Sequence, residues 1–361
     1  MVRYCLVESF RIYSPSEQVA DHLRRELLRG VWTIEIPGTP QLSRELGVDR
    51  KTIIAALGIL ESEGLLVSQG PGKRRKVLSP EKFEAPSLRI GILLYEQADR
   101  RLDYIVDLQH QLSVAGHQVQ IAGKTLTELG MEPERVKHLV QKTDRSAWIV
   151  VAGSREVLQG FASESIPAFA LFGRIGRVPL ASTGPAKQSA LAAAIERLVS
   201  FEHRRIVMLV REERRKPQPG FLERAFLKEL VDRGIPAGGY NLPEWSNSMA
   251  EYHRCLDSLF DLTPPTALII DEAPLLVSAQ QYLAQKGVLS PQNVSLVCLD
   301  PDPTFAWCKP SIAHVRWPKE PIIRRIVRWS ANVARGKEDV RKTSTIAEFV
   351  DGETIGPASG S

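Results

Sequence analysis

Arg50, Lys51 and Thr52 follow directly on Asp49, and Lys73-Arg74-Arg75-Lys76 follow directly on the turn Gln69-Gly70-Pro71-Gly72. Side chains of these types donate hydrogen bonds and positive charge, and glycines beside them let a backbone approach closely, which is what phosphates and base edges of a duplex require. A charge run is also what a solvated surface looks like. The elements that carry these residues must therefore decide between the two.

Ser14-Pro15-Ser16-Glu17 has the form of a capping box with proline at the first helical position. Val19, Leu23 and Leu27 then recur every four residues, Ala20 and Leu28 widen the stripe, and Gly30 supplies a stop. Thr39-Pro40 reads as the cap of a short second helix through Leu42 and Leu46 that ends at Gly47, and Asp49 as the cap of a third. In that third helix Ile53, Ala56, Leu57 and Leu60 share the inner face, so Arg50, Lys51 and Thr52 lie exposed in its first turn, where a recognition helix meets base edges. Leu65 to Val67 and a strand opened by Lys73-Arg74-Arg75-Lys76 form a hairpin wing. From residue 14 to 78 there are ten Lys/Arg against eight Asp/Glu, a net of +2, so the cations matter by position and not by number.

EQVADHLRRELLRGVW, IPGTPQLSRELGVDRKTIIAALGILESEGLL and the GPGK turn together resemble the GntR-family DNA-binding domain over its full length. The resemblance implies DNA contacts at Arg50, Lys51 and Thr52, with Gly72 and Lys73 at the wing tip and Arg74 beside them. Pro40 and Ile54 stand where the family usually has arginines, so no operator sequence carries over. A winged helix used for protein contacts alone is the bland alternative.

Residues 1–13 are read as a tail, 14–78 as the head, 79–87 as a proline-bounded connector and 88–358 as one large domain. From Arg89 onward, Ile90 to Leu94, Trp148 to Val151, Ala168 to Phe172, Ile206 to Val210, Ala267 to Ile270 and Val294 to Leu299 are continuous apolar runs. Strands buried on both faces read this way, and the stretches between them are helical by period, as in Leu191, Ile195 and Leu198 or in Leu222, Ala225, Phe226 and Leu230. The fold class is α/β: parallel sheets flanked by helices behind a winged helix-turn-helix. Such sheets bind ligands at the carboxyl ends of their strands.

RIGILLYE, FEHRRIVML, GFLERAFLKELVDRG, LPEWSNSMAEY, PPTALII, QYLAQKGVLSPQNVSLVCLD and FVDGETIGP are similar, in this order, to the LacI/GalR effector domain, itself shaped like periplasmic sugar-binding proteins. The resemblance implies two lobes closing on a small effector, with Asp300 as its anchoring carboxylate, Trp245 as the aromatic packed on it, and Tyr95 opening the loop that faces the cleft. Pro217 replaces an expected arginine, and Glu272-Ala273 replaces an expected Asn-Asp, so ordinary sugar binding should be altered or lost. Arg214, Arg215 and Lys216 could supply cations for an anionic ligand, or form a solvated loop.

A net charge of +5 and a pI near 9.0 over 361 residues favour acidic partners only weakly. Cys5, Cys255, Cys298 and Cys308 form no CxxC, and no His run has zinc-ligand spacing, so neither a disulfide framework nor a metal is expected. No phosphate loop, dinucleotide fingerprint or GxSxG elbow is complete, so neither cofactor nor catalysis is expected. Trp307, Trp317 and Trp329 read as core or interface residues, with Trp307 close enough to Asp300 to line a cleft mouth. The N-terminus lacks the features of a secretory signal, and no apolar run approaches the ~18 residues of a membrane span, so a soluble cytoplasmic protein is expected. The expected function is a DNA-binding regulator, a repressor, acting as a homodimer on a pseudo-palindromic operator under control of a small effector. Its rival is a large domain that has lost its ligand and serves only dimerisation or protein contacts.

Overall fold

The computed structural model describes residues 14–28, 31–32, 34–70, 72–78, 87–164 and 166–358. The tail 1–13, the stop at Gly30, Pro71 and the connector 79–86 lie outside the described residues. The chain divides into two compact units, residues 1–86 and 87–361.

In the first unit, α1 (Pro15–Leu28) begins as the capping box requires: the Glu17 carboxylate accepts from the Ser14 N–H at 2.8 Å, and Ser14 Oγ accepts from the Glu17 N–H at 3.3 Å. Helix α2 (Thr39–Leu46) is capped by Gly38, not by Thr39, which is already helical, and no side chain caps it. Gly47 ends α2 at φ 64°, and α3 (Arg50–Ser62) follows. Val19, Leu23 and Leu27 pack with Leu42, Ile53, Ala56, Leu57 and Leu60 in one core. Strands β1 (Leu66–Val67) and β2 (Lys76–Val77) pair antiparallel, so Lys73 to Arg75 belong to the turn and not to the strand as expected. The segment at Glu35, unrecognised in the sequence, pairs with Lys76 on the other edge of β2.

The second unit holds two lobes. In the first, the sheet of β3 (Arg89–Leu93), β4 (Gln118–Ile121), β5 (Ala147–Val151), β6 (Ala168–Leu171) and β7 (Ala181–Thr183) is ordered β4-β3-β5-β6-β7 and wholly parallel. Helix α4 (Asp103–Val114) covers one face, α5 (Pro133–Lys142) and α6 (Arg155–Ser163) the other. Gly91 lies opposite Trp148 across β3 and β5, and a Cβ there would come within 2.6 Å of the indole, so glycine makes room for the ring. Because β4 and β5 lie on opposite sides of β3, the connections leaving β3 and its neighbour diverge, and a crevice opens at the carboxyl end of β3.

The chain leaves that lobe through β8 (Pro185–Ala186). Helix α7 (Gln188–Ser200), β9 (Ile206–Leu209), the short α8 (Glu212–Arg215), α9 (Phe221–Asp232), α10 (Met249–Leu262), β10 (Ala267–Ile270), α11 (Ala273–Gln285), β11 (Ser295–Cys298) and β12 (Ala313–Arg316) build the second lobe. The next helix, α12 (Glu320–Ala334), returns: its Ile322, Ile323, Ile326 and Trp329 pack on the first sheet with Ile90 and Phe169. Finally β13 (Thr345–Ile346) crosses back, pairing with β8, and β14 (Glu348–Val350) closes the second sheet antiparallel to β12. Both lobes therefore depend on segments distant in sequence. All six apolar runs read from the sequence form strands, and the shorter or alternating strands β4, β7, β8, β12, β13 and β14 are the ones in this unit it did not reveal.

Candidate functional site

Asp49 organises the exposed end of α3. Its Oδ1 accepts from the N–H groups of Lys51 at 2.7 Å and Thr52 at 3.1 Å, and the Thr52 hydroxyl donates to its Oδ2 at 2.5 Å. The Thr52 hydroxyl, the two amides and the Lys51 charge hold the Asp49 carboxyl below its ordinary range. The cap satisfies helix-end donors, so the first turn is formed before anything binds it. Thr52 spends its hydroxyl on the cap, leaving the exposed Arg50 and Lys51 as the outward-facing groups. Neither forms an ion pair among the described residues.

At the wing, Gly70 and Gly72 take φ 106° and 76°, the left-handed region that favours glycine. Lys73 and Arg74 beyond them are exposed. Arg75 is different: it pairs with Glu61 of α3 at 2.5 Å and so fastens the wing to the helix.

In the second unit the carboxyl ends of β3, β9, β10 and β11 bring Glu96, Arg211, Asp271, Glu272 and Asp300 to one cleft between the lobes. Arg211 grips both Glu272 oxygens, at 2.9 and 3.1 Å, and reaches Glu96 of the first lobe at 3.3 Å. The Tyr95 ring lies under that guanidinium, 5.5 Å from its centre. Burial raises the Glu272 carboxyl to about 7, with Asp271 and Asp300 adding to the rise and Arg211 opposing it. Asp300 is likewise raised by burial against the pull of Lys187, which pairs with it, and Trp317 donates to its Oδ1 at 3.4 Å. Trp317, Tyr104 and Phe172 form an aromatic wall beside this carboxylate, with centroids 5.2 to 6.0 Å apart.

The cleft thus gathers Tyr95, Glu272 and Asp300. Trp245 is placed otherwise: it is 6% exposed, packed against Tyr252 at 4.9 Å within the second lobe's core, and presents little surface to a ligand. Trp307 is not a core residue but 89% exposed. The solvated-loop reading of Arg214 to Lys216 holds only for Lys216. Arg214 bonds Glu223 at 2.8 Å and Asp271 at 3.2 Å, and buried Arg215 donates to the carbonyls of Val210 and Trp245. Arg214 is thus paired with two carboxylates of its own chain, and Arg215 is buried with two of its donors on carbonyls and its Nη1 without a hydrogen-bond partner, so neither is an exposed cation.

Sequence reasoning missed Arg211, Glu96, Lys187 and Arg174. Arg211 sits just past a strand's carboxyl end, as Glu272 does, so that positional rule applied evenly would have found it. Arg174 and Lys187 act across long separations and leave no local signal. Two open depressions of about 460 and 310 Å³ lie elsewhere, on the second lobe around Asp257 and Lys286 and around Leu289 and Pro310. No helix among the described residues is long and apolar enough to cross a membrane.

Residues 15–72 match the family described as bacterial regulatory proteins, gntR family, and residues 195–355 match the periplasmic binding protein-like domain. The chain therefore joins a GntR-family DNA-binding domain to a periplasmic binding protein-like domain, and neither description is that of an enzyme. Its fold is similar to that of the transcription regulator CcpA of Lactococcus lactis, at 12% identity and TM-score 0.64 over 74% of this chain and 99% of that one. It is also similar to a LacI family transcriptional regulator from Mycobacterium smegmatis, at 17% identity and TM-score 0.59 over 74% and 99% of the two chains. A third likeness is to the transcriptional regulator CelR in its cellobiose complex, at 16% identity and TM-score 0.61 over 88% and 100%. At these identities the likeness is one of fold. No curated protein matches the chain in sequence.

Proposed function

We propose that this protein is a cytoplasmic transcription regulator, a repressor, that binds a pseudo-palindromic DNA operator as a homodimer and responds to a small polar effector held in the inter-lobe cleft. The observation that carries the DNA reading is the state of the head's cations: Arg50 and Lys51 on a turn already capped by Asp49, and Lys73 and Arg74 beside left-handed glycines, all exposed. Groups so held lose little freedom when they meet a phosphate or a base edge. Gly72 serves by letting the wing tip come close, and Thr52 serves through the cap.

For the effector, the cleft offers carboxylates at Asp300 and Glu272, the Tyr95 ring and an aromatic wall, a pairing of polar anchors and apolar faces that suits a sugar or sugar derivative. One fold relative is complexed with cellobiose. Effector binding would alter DNA affinity to the extent that it favours one lobe arrangement over another. A second reading keeps the DNA-binding role but gives the large domain only dimerisation or protein contacts. Burial of Trp245 and the internal pairing of Glu272 favour that second reading.

Selection from a randomised duplex pool, followed by titration at several salt concentrations, tests the DNA reading. Enrichment of a two-fold repeated site is expected, and replacing Lys73 and Arg74 by Ala should lower the salt slope by about 0.9 for each phosphate no longer neutralised. Binding with no preference among duplexes would sink it. A thermal-shift screen of sugars separates the two effector readings, because a ligand at 100 times its Kd adds roughly 2.7 kcal/mol of stability.

A further inference from the structure

Arg174 belongs to one lobe and spends its side chain on the other. It follows β6 in the first lobe, and its Nη1 donates to the carbonyls of Glu213 at 2.8 Å and Lys216 at 2.5 Å while Nη2 donates to that of Gln218 at 2.7 Å. All three acceptors lie in the segment between β9 and α9 of the second lobe, Glu213 in the short α8 and Lys216 and Gln218 in the loop after it. Arg174 has no carboxylate partner among the described residues.

The turn that carries it is fixed. Phe172 sits at φ 62°, a region costly for a residue with a side chain, and its N–H is held by the Thr183 carbonyl at 3.1 Å. A Cβ on Gly173 would come within 2.9 Å of the Gly153 carbonyl oxygen and of Leu158 Cδ1, so only glycine fits, and the Arg174 N–H donates to the same Gly153 oxygen at 3.0 Å.

The receiving loop is fixed as well. The Glu212 N–H donates to Asn247 Oδ1 at 3.0 Å, Asn247 Nδ2 donates to the Glu213 carboxylate at 2.6 Å, and the Gly220 N–H donates to the Arg214 carbonyl at 3.0 Å. Pro217 has no N–H to offer, and the carbonyls on either side of it both turn to Arg174. A guanidinium presents its donors in a rigid planar fork, so one side chain can meet several converging carbonyls, and its charge strengthens each bond. A second, weaker bridge between the lobes runs from Arg211 to Glu96 at 3.3 Å.

We propose that Arg174 is a clasp built into the fold, holding the two lobes together through hydrogen bonds of the chain's own. The lobes then need no ligand to span them, and a ligand that fits the closed cleft meets a form already populated. Binding to a form only fractionally populated weakens apparent affinity by that fraction, which the clasp removes. The inference requires no particular effector and stands or falls apart from the DNA reading.

The test measures lobe separation in the full-length protein without added ligand. Spin labels are placed on Cys residues substituted at the exposed positions Glu156 of α6 and Lys228 of α9, in a background with Cys5 and Cys308 changed to Ser. Pulsed dipolar spectroscopy on doubly labelled chains diluted with unlabelled protein, with the clasp unaltered, should give one narrow intrachain distance distribution. Arg174→Ala should broaden it and move it to longer distances. Arg174→Lys, which keeps the charge but loses the planar fork, should fall between, and it serves if the alanine variant does not fold. Glu96→Gln, which weakens only the second bridge, should change the distribution less than Arg174→Ala. A broad distribution with Arg174 intact, or distributions for both Arg174 variants superimposable on it, would overturn the proposal.

Discussion

The head and the cleft use arginine and lysine in opposite ways. Around α3 and the wing, Arg50, Lys51, Lys73 and Arg74 face outward without ion pairs among the described residues, while Arg75 and the Asp49 cap do the holding. In the cleft Arg211, Arg214, Arg215 and Lys187 are all engaged, with carboxylates or backbone carbonyls of the same chain. A cation left free on a pre-formed turn has its favourable interaction still to make, with a partner from outside. A cation already paired in a half-buried site contributes to holding the fold, and removing it exposes the cost of the buried partner left behind. Like residue types thus divide into recognition and support according to what surrounds them.

That contrast breaks most readily at Arg214. Arg214→Ala leaves the Asp271 and Glu223 carboxylates, with side chains 3% and 1% exposed, without their cation. The expected loss is about 3 kcal/mol in the large domain, seen as an earlier denaturation midpoint. An unchanged midpoint would show that the pairing supports nothing. Arg50→Ala with Lys51→Ala should do the reverse: operator affinity falls on the order of 10- to 100-fold, while the melting temperature stays put, since both side chains are exposed and outside any ion pair among the described residues. A lowered melting temperature at unchanged affinity would place both residues in support.

The smallest effect concerns pH. The Glu272 carboxyl stands near 7 in the folded chain against an ordinary 4.5, so between these values the folded state holds the extra proton. Its contribution to stability is therefore fully present below pH 4.5 and is lost as pH rises to about 7. The charges facing it are Arg211, Asp271, Asp300 and Glu96, from β9, β10, β11 and β3. Glu272→Gln has no proton to lose, so between about pH 5 and 8 its melting temperature should decline less than that of the parent chain. Parallel curves would dismiss Glu272 as the source.

How much of this was written locally is plain from particular residues. The head was legible almost throughout, because caps, glycine stops and four-residue spacing act within a few positions of where they stand. Asp49, Gly47 and the inner face Ile53, Ala56, Leu57 and Leu60 formed as read, while the cap of α2 moved from Thr39 to Gly38, the second wing strand begins at Lys76 and not at Lys73, and the pairing at Glu35 went unread. The buried strands were legible for a similar reason, since a continuous apolar run of four or five residues reports its own burial. Trp245, expected as a ligand-facing ring, lies 6% exposed in the second lobe's core, because an aromatic side chain suits a core and a cleft equally well.

By itself, then, the sequence determined the winged helix, the α/β class of the large domain and the strand ends where Tyr95, Glu272 and Asp300 emerge, all features set by interactions of short range. The tertiary structure alone decided that α12 and β13 pass back and forth between the lobes, that Lys187 meets Asp300 113 positions away, and that Arg174 reaches the loop around Pro217. Those pairings depend on how two sheets are brought face to face, and no periodicity or spacing along the chain encodes which side chain will find itself opposite which.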